Sequence, residues 1–137
     1  MARILAIDYG GKRTGLAVTD PMQIIATGLI TIESKELIAF LKKYLSTEAI
    51  ELIIIGLPKN WDETDTHGTP LVEAVIKKLQ KEFPLIPIKT VDERYTSKMA
   101  KDAMIEMGMK KKDRRVKGNV DIIAATIILQ EYLNSIS

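Results

Sequence analysis

The hydrophobic pattern of the first quarter of the chain is typical of β-strands. An apolar run over residues 3–8 ends in an acid and in Gly10-Gly11, which predicts a buried strand followed by a turn. Residues 15–19 and 24–32 are rich in β-branched side chains, and Asp20-Pro21 between them is a turn signal. Three successive strands with short connections predict an antiparallel meander.

From residue 34 onward, segments with helical spacing alternate with short apolar runs. Residues 37–45 place apolar side chains on one helical face, and Ser34 is expected to be the N-cap. Residues 51–57 form a continuous apolar run, typical of a strand that is covered on both faces. The remaining predicted elements are a helix over 71–79 that follows Thr69-Pro70, a strand over 86–91, a helix over 97–107 and a helix over 120–133.

The predicted order of elements, β-β-β-α-β-α-β-α-α, indicates an α/β fold. Right-handed crossovers imply that strands 1, 4 and 5 pair in parallel. The expected architecture is therefore a mixed five-stranded sheet, with three antiparallel strands followed by parallel ones and with helices on both faces. A chain of 137 residues has room for one domain, which we expect to span residues 1–137.

Composition narrows the chemistry more than it narrows the fold. The 46% hydrophobic content is that of a folded globular protein, and the absence of cysteine excludes disulfides, thiolate zinc sites and a thiol nucleophile. One histidine, His67, cannot form a histidine-rich metal site. A metal would need carboxylate ligands, which favours Mg²⁺ or Mn²⁺. No apolar stretch is long enough to span a membrane or to act as a signal peptide, so we expect a cytoplasmic protein with no membrane partner.

Acidic residues follow two of the predicted strands and begin the last helix. Asp8 closes strand 1, Asp92-Glu93 follows strand 5, and Asp121 lies in the predicted first turn of the last helix beside apolar residues. Each acid also has an explanation that involves no function. The helix dipole favours an acid at the position of Asp121, and Asp92-Glu93 can belong to an ordinary strand-to-helix turn. If these acids meet in the crevice at the carboxyl ends of the strands, each pair ~5 Å apart costs about 3 kcal/mol and requires cations. Two carboxylate-bound metal ions can hydrolyse a phosphodiester.

Two basic segments are candidates for phosphate binding. The glycine-rich turn over residues 8–15 carries Lys12 and Arg13, although a hairpin turn would need the same glycines. Residues 110–117 (KKKDRRVK) hold six basic residues and one acid, so this basic run carries +5 in a chain of net charge +2. A solvated loop is the alternative explanation of the run.

Four segments resemble, in order, the signature blocks of the YqgF (RuvX) family, the pre-16S rRNA nuclease and Holliday-junction-resolvase-like group of the ribonuclease H superfamily. They are AIDYGGKRTGLAVTD, IIIGLPKNWDETDT, VDERYTSKMA and VDIIAATIILQEYL. The resemblance implies a ribonuclease H-like fold and a metal-dependent nuclease, with Asp8, Glu93 and Asp121 as catalytic and metal-binding residues. Two positions depart from the pattern. Ala124 stands where junction resolvases have a second aspartate, and Glu63 stands where a glycine is common.

The leading hypothesis is a hydrolase of phosphodiester bonds that processes the 5′ end of precursor 16S rRNA. Mg²⁺ or Mn²⁺ on the acidic trio would activate water, while Lys12, Arg13 and Arg94 hold the RNA backbone. The expected partners are RNA and pre-ribosomal particles, and the expected state is a monomer or weak dimer. A Holliday-junction-resolvase-like DNA nuclease and a catalytically weak ribosome-assembly factor that binds nucleic acid are the alternatives. The choice between Asp92 and Glu93 as ligand stays open.

Overall fold

The computed structural model describes residues 2–57, 69–92 and 117–136. Its five strands form one sheet of order β3-β2-β1-β4-β5. Strands β1, β2 and β3 are antiparallel neighbours, whereas β1, β4 and β5 run parallel. This arrangement confirms the predicted mixed sheet. The strands are β1 Arg3–Tyr9, β2 Arg13–Thr19, β3 Ala26–Glu33, β4 Ile50–Leu57 and β5 Ile88–Asp92.

Helices cover both faces of this sheet. A 3₁₀ turn, Ser34–Glu36, leads into α1 (Leu37–Leu45), and α2 spans Thr69–Glu82. The last helix, α3, spans Lys117–Ile136. The helix predicted over residues 97–107 lies outside the described residues. In the described parts of the chain, no helix is long and apolar enough to cross a membrane.

The sheet separates two hydrophobic clusters, because successive strand residues point to opposite faces. On one face Leu5, Ile7 and Leu16 pack with residues of α1 and α2. On the other face Ile4 and Ala6 pack with residues of α3. The alternation along β1 therefore determines which face each of its side chains reaches, including the acid near its end.

The β2–β3 connection differs from the prediction, which began strand 3 at residue 24. The Asp20 carboxylate accepts hydrogen bonds from the backbone N–H groups of Met22 (3.0 Å), Ile24 (2.8 Å) and Ile25 (2.7 Å). Those amides are thus satisfied by the turn and not by a neighbouring strand. Ile24 and Ile25 are exposed, and β3 begins at Ala26.

Ser34 is not the N-cap of α1, so that prediction was wrong. The cap position is Glu36, which makes no side-chain capping bond. The Ser34 hydroxyl donates instead to the carbonyl oxygen of Gly10 (2.5 Å) and shares a hydrogen bond with the Thr14 hydroxyl (2.7 Å). The Ser34 N–H donates to the carbonyl of Lys12 (2.9 Å). Ser34 therefore ties the start of the first helical segment to the β1–β2 turn.

Candidate functional site

Asp8 lies near the carboxyl end of β1 and is half-buried. Asp8 is four residues from Ile4 and two from Ala6 along the strand, and both of these residues belong to the cluster under α3. Its side chain therefore points to the α3 face of the sheet. In the antiparallel ladder, the residue directly opposite Asp8 is Gly15 on β2.

Asp121 lies in the second turn of α3, not in the first. The helix begins at Lys117, three residues before the start predicted from the apolar pattern. An apolar pattern marks where a helix becomes buried, and a helix can begin before that point. The correction weakens the explanation of Asp121 by the helix dipole, since that effect falls off within the first turn.

Gly15 brings Asp8 and Asp121 together. A Cβ atom on Gly15 would overlap the carbonyl carbon and oxygen of Asp121 and would lie 3.0 Å from the Asp121 Cβ. Opposed Cβ positions in an antiparallel ladder are about 5.5 Å apart or less. Together these two distances place the Cβ atoms of Asp8 and Asp121 no more than about 8.5 Å apart. At that separation two carboxylates can reach one ion.

Arg13, a predicted substrate-binding residue, forms an ion pair within the site. Its Nε lies 3.2 Å from Oδ2 of Asp121, and the two side chains are 39% and 22% exposed. The pair spans 108 residues of sequence. The guanidinium thus partly neutralises one of the two acids while remaining accessible to solvent.

Lys12 lies at the tip of the β1–β2 turn, which is closed by a hydrogen bond from the Gly10 N–H to the Arg13 carbonyl (2.9 Å). Its side chain is exposed, and it forms no ion pair with any other residue that the structure describes. The turn holds this cation close to Arg13 and at the same end of the sheet as Asp8.

Sequence reasoning missed the role of Gly15. A glycine inside a strand signals a close backbone approach, and Gly15 lies inside the second strand, RTGLAVT. Gly28 on β3 repeats the arrangement, because a Cβ there would overlap the Ile122 side chain of α3. The two glycines let α3 lie directly on β2 and β3.

The donor set is suited to a hard divalent cation, because both acids offer carboxylate oxygens. Within residues 2–57, 69–92 and 117–136, however, no group of three or more His, Cys, Asp or Glu side chains could hold a metal ion. Glu93 and Arg94 lie outside the described residues. His67 and residues 110–116 of the basic run also lie outside the described residues, whereas Lys117 begins α3.

A mixed sheet of this order, with helices on both faces, is a ribonuclease H-like fold. The structure of T. thermophilus RuvC in complex with a Holliday junction substrate matches it with a TM-score of 0.56 at 14% identity, covering 98% of this chain and 95% of that one. A second Thermus thermophilus RuvC structure matches with a TM-score of 0.53 at 12% identity, over 97% and 95% of the two chains. At these identities the likeness shows the fold alone.

The family model of RuvX, described as Holliday junction resolvase, matches residues 2–135. A relative from Christiangramia forsetii is 51% identical over 133 residues, 97% of this chain and 98% of that one. A relative from Flavobacterium psychrophilum is 53% identical over 133 residues, 97% of each chain. A relative from Bacteroides thetaiotaomicron is 50% identical over 135 residues, 98% of each chain. All three bear the name "Putative pre-16S rRNA nuclease". The chain belongs to the RuvX family, which confirms the resemblance of its four sequence blocks.

Proposed function

We propose that the protein is a metal-dependent nuclease that hydrolyses phosphodiester bonds in the 5′ leader of precursor 16S rRNA. The observation that carries the proposal is the close approach of Asp8 and Asp121 across Gly15 at the carboxyl end of β1. The names of relatives at about half identity support the RNA substrate. Such a substrate implies action in the cytoplasm on pre-ribosomal particles.

Asp8, Glu93 and Asp121 are the proposed ligands of Mg²⁺ or Mn²⁺. When bound, the metal would activate water and stabilise the leaving oxygen. Glu93 is preferred to Asp92 because the resemblance of VDERYTSKMA to a signature block of the family implies Glu93 as the acid of the set. The three acids together supply the all-oxygen set that these ions prefer.

Lys12, Arg13 and Arg94 are the proposed contacts to the RNA backbone. The guanidinium of Arg13 lies against the carboxylate of Asp121. A backbone phosphate bound at the acidic pair would therefore come within reach of Arg13. The planar guanidinium can donate two hydrogen bonds to a phosphate while its charge offsets that of the carboxylates. The cations therefore orient the phosphate to be attacked.

A Holliday junction is the less favoured substrate. Ala124, at the position where the resemblance gives junction resolvases a second aspartate, lies on α3 and is 1% exposed. Its methyl side chain offers no oxygen ligand, so this position adds no carboxylate to the proposed metal site.

A cleavage assay separates the alternatives. Its substrates are an RNA with the 5′ leader of 16S rRNA, an unrelated single-stranded RNA and a four-way DNA junction, each with Mg²⁺, with Mn²⁺ and with EDTA. We expect metal-dependent cleavage of the leader RNA, its loss in Asp8→Asn, and unchanged activity in Glu51→Gln, which removes an exposed acid at the other end of the sheet. Binding of the leader RNA without cleavage would favour the assembly-factor alternative. Cleavage of the junction alone would favour the resolvase.

A further inference from the structure

A groove of ≈ 530 Å³ opens beside the β1–β2 turn, and it is lined by Gly11, Lys12, Arg13, Glu33 and Lys35. We call it the hairpin groove. In the sheet, Arg13 is paired with Glu33, so the groove lies where β2 begins and β3 ends. That is the end of the sheet at which Asp8 lies. The hairpin groove therefore adjoins the candidate site, and Arg13 is common to both.

The charge of the hairpin groove favours an anion. Among the described residues that line it, three carry a cationic side chain and one carries a carboxylate. Lys35 Nζ lies 3.2 Å from Oε2 of Glu33, but the two side chains are 79% and 61% exposed. A pair that is so exposed is weak, and a phosphate can compete for the lysine.

The spacing of the two lysines is fixed by backbone and hydroxyl hydrogen bonds. Ser34, which precedes Lys35, donates through its N–H to the carbonyl of Lys12. Its hydroxyl binds the carbonyl of Gly10 and the buried Thr14 hydroxyl. Lys12 and Lys35 thus project from two segments that are held together, which lowers the entropy lost when both bind one ligand.

We propose that the hairpin groove is a second phosphate-binding subsite, which holds the backbone of the nucleic acid strand next to the cleaved bond, with Lys35 as a direct contact. The proposal rests on the proposed nuclease function and extends it to a residue outside the acidic centre. The described lining residues contact a strand through charge and not through aromatic stacking. Contacts to phosphate carry no sequence information, so we expect single strands of RNA and DNA to bind alike in the groove.

The test is the affinity of a labelled single-stranded oligoribonucleotide, measured in EDTA at several salt concentrations so that no cleavage occurs. Lys35→Gln removes one phosphate contact, which flattens the slope of log K against log salt by about 0.7. Because log K depends linearly on log salt, this change in slope lowers the affinity by about eightfold near 50 mM salt and by about threefold near 200 mM. Glu33→Gln removes the competing carboxylate and tightens binding by about two- to fivefold.

The matched control is Lys42→Gln. Lys42 also forms an exposed ion pair with a glutamate (3.3 Å to Glu82), but it belongs to α1 and lies outside the groove. Loss of affinity in Lys35→Gln but not in Lys42→Gln, together with a gain in Glu33→Gln, supports the subsite. Equal effects of the two lysine variants, or no gain in Glu33→Gln, overturn it. A wild-type protein that binds no RNA in EDTA also overturns the subsite, whereas the nuclease function is judged separately by cleavage of the leader RNA with Mg²⁺ or Mn²⁺.

Discussion

The α-carbon of Gly15 on β2 lies directly beneath the backbone of Asp121 on α3. Any side chain at position 15 would meet the carbonyl group of Asp121, which no rotamer change can move away. Because Gly15 is also paired with Asp8 in the ladder, one residue without a side chain sets the distance between the two acids. The acidic pair depends on a helix-to-sheet contact as much as on the acids themselves.

Gly15→Ala should destabilise the fold by about 1–3 kcal/mol, because the helix must shift to make room for the methyl group. It should also lower nuclease activity by displacing Asp121 from Asp8. Urea unfolding measures the first effect. Gly11→Ala is the control, since among the described residues its Cβ would meet only Leu71 Cδ1, at 3.9 Å. Equal stability of the two variants would contradict the close approach.

Arg13→Gln should bind Mn²⁺ more tightly than the wild type does, because Arg13 competes with the metal for Asp121 Oδ2. The cost in stability should stay below about 1 kcal/mol, as both side chains are partly exposed. Calorimetric titration with Mn²⁺ measures the affinity. Arg3→Gln is a matched control, since Arg3 Nε also lies 3.2 Å from a carboxylate, that of Glu48, at the start of β1. Weaker Mn²⁺ binding in Arg13→Gln would show that Arg13 helps to form the metal site.

Divalent metal should raise the melting temperature of the wild type, and Asp8→Asn should abolish that increase. A ligand at about 100 times its Kd stabilises the native state by about 2.7 kcal/mol. Without metal, Asp8→Asn should be at least as stable as the wild type, because it removes one of two neighbouring negative charges. Thermal unfolding with and without Mn²⁺ tests both points, with Glu51→Gln as control. A variant that melts earlier without metal would make Asp8 a structural residue.

The β2–β3 turn should lose stability in acid. Hydrogen bonds from backbone N–H groups, that of Ile25 foremost, hold the pKa of Asp20 below its ordinary value. A lowered pKa means that the charged carboxylate stabilises the fold above about pH 4, and that this contribution disappears as the pH falls through the lowered value. Asp20→Asn should therefore be less stable than the wild type at pH 7 but equal to it at low pH. A ¹³C carboxyl titration measures the pKa directly, and an ordinary value would remove the basis of the prediction.

The sequence predicted the strands and their order because burial on both faces leaves an unmistakable apolar run, as in β4 (Ile50–Leu57). The predicted ends of elements were wrong where a polar side chain forms hydrogen bonds with groups elsewhere in the chain. Ser34 has the residue type of an N-cap, but its hydroxyl is used by Gly10 and Thr14. Ile24 has the composition of a strand residue, but its amide is bound by Asp20.

The candidate site was only partly predictable for a related reason. Asp8 and Asp121 could be proposed from strand ends and from a resemblance, but no local pattern shows that two residues so far apart in sequence meet. The Arg13–Asp121 ion pair has no sequence signal, and it joins a residue proposed to bind substrate to one proposed to bind metal. Lys35 was overlooked because a single exposed lysine resembles any other until its neighbours in space are known.

The separation of Arg13 and Asp121 by 108 residues has a consequence for the newly made chain. The β1–β2 hairpin can form soon after it leaves the ribosome, at a synthesis rate of about 5–20 residues per second. It carries Asp8 and the cations proposed to bind phosphate, but Asp121 arrives only when α3 is synthesised and packs on the glycines of β2 and β3. A nascent chain therefore presents these cations before the acidic pair can form. The docking of α3, and not the formation of the hairpin, is the step that completes the pair during synthesis.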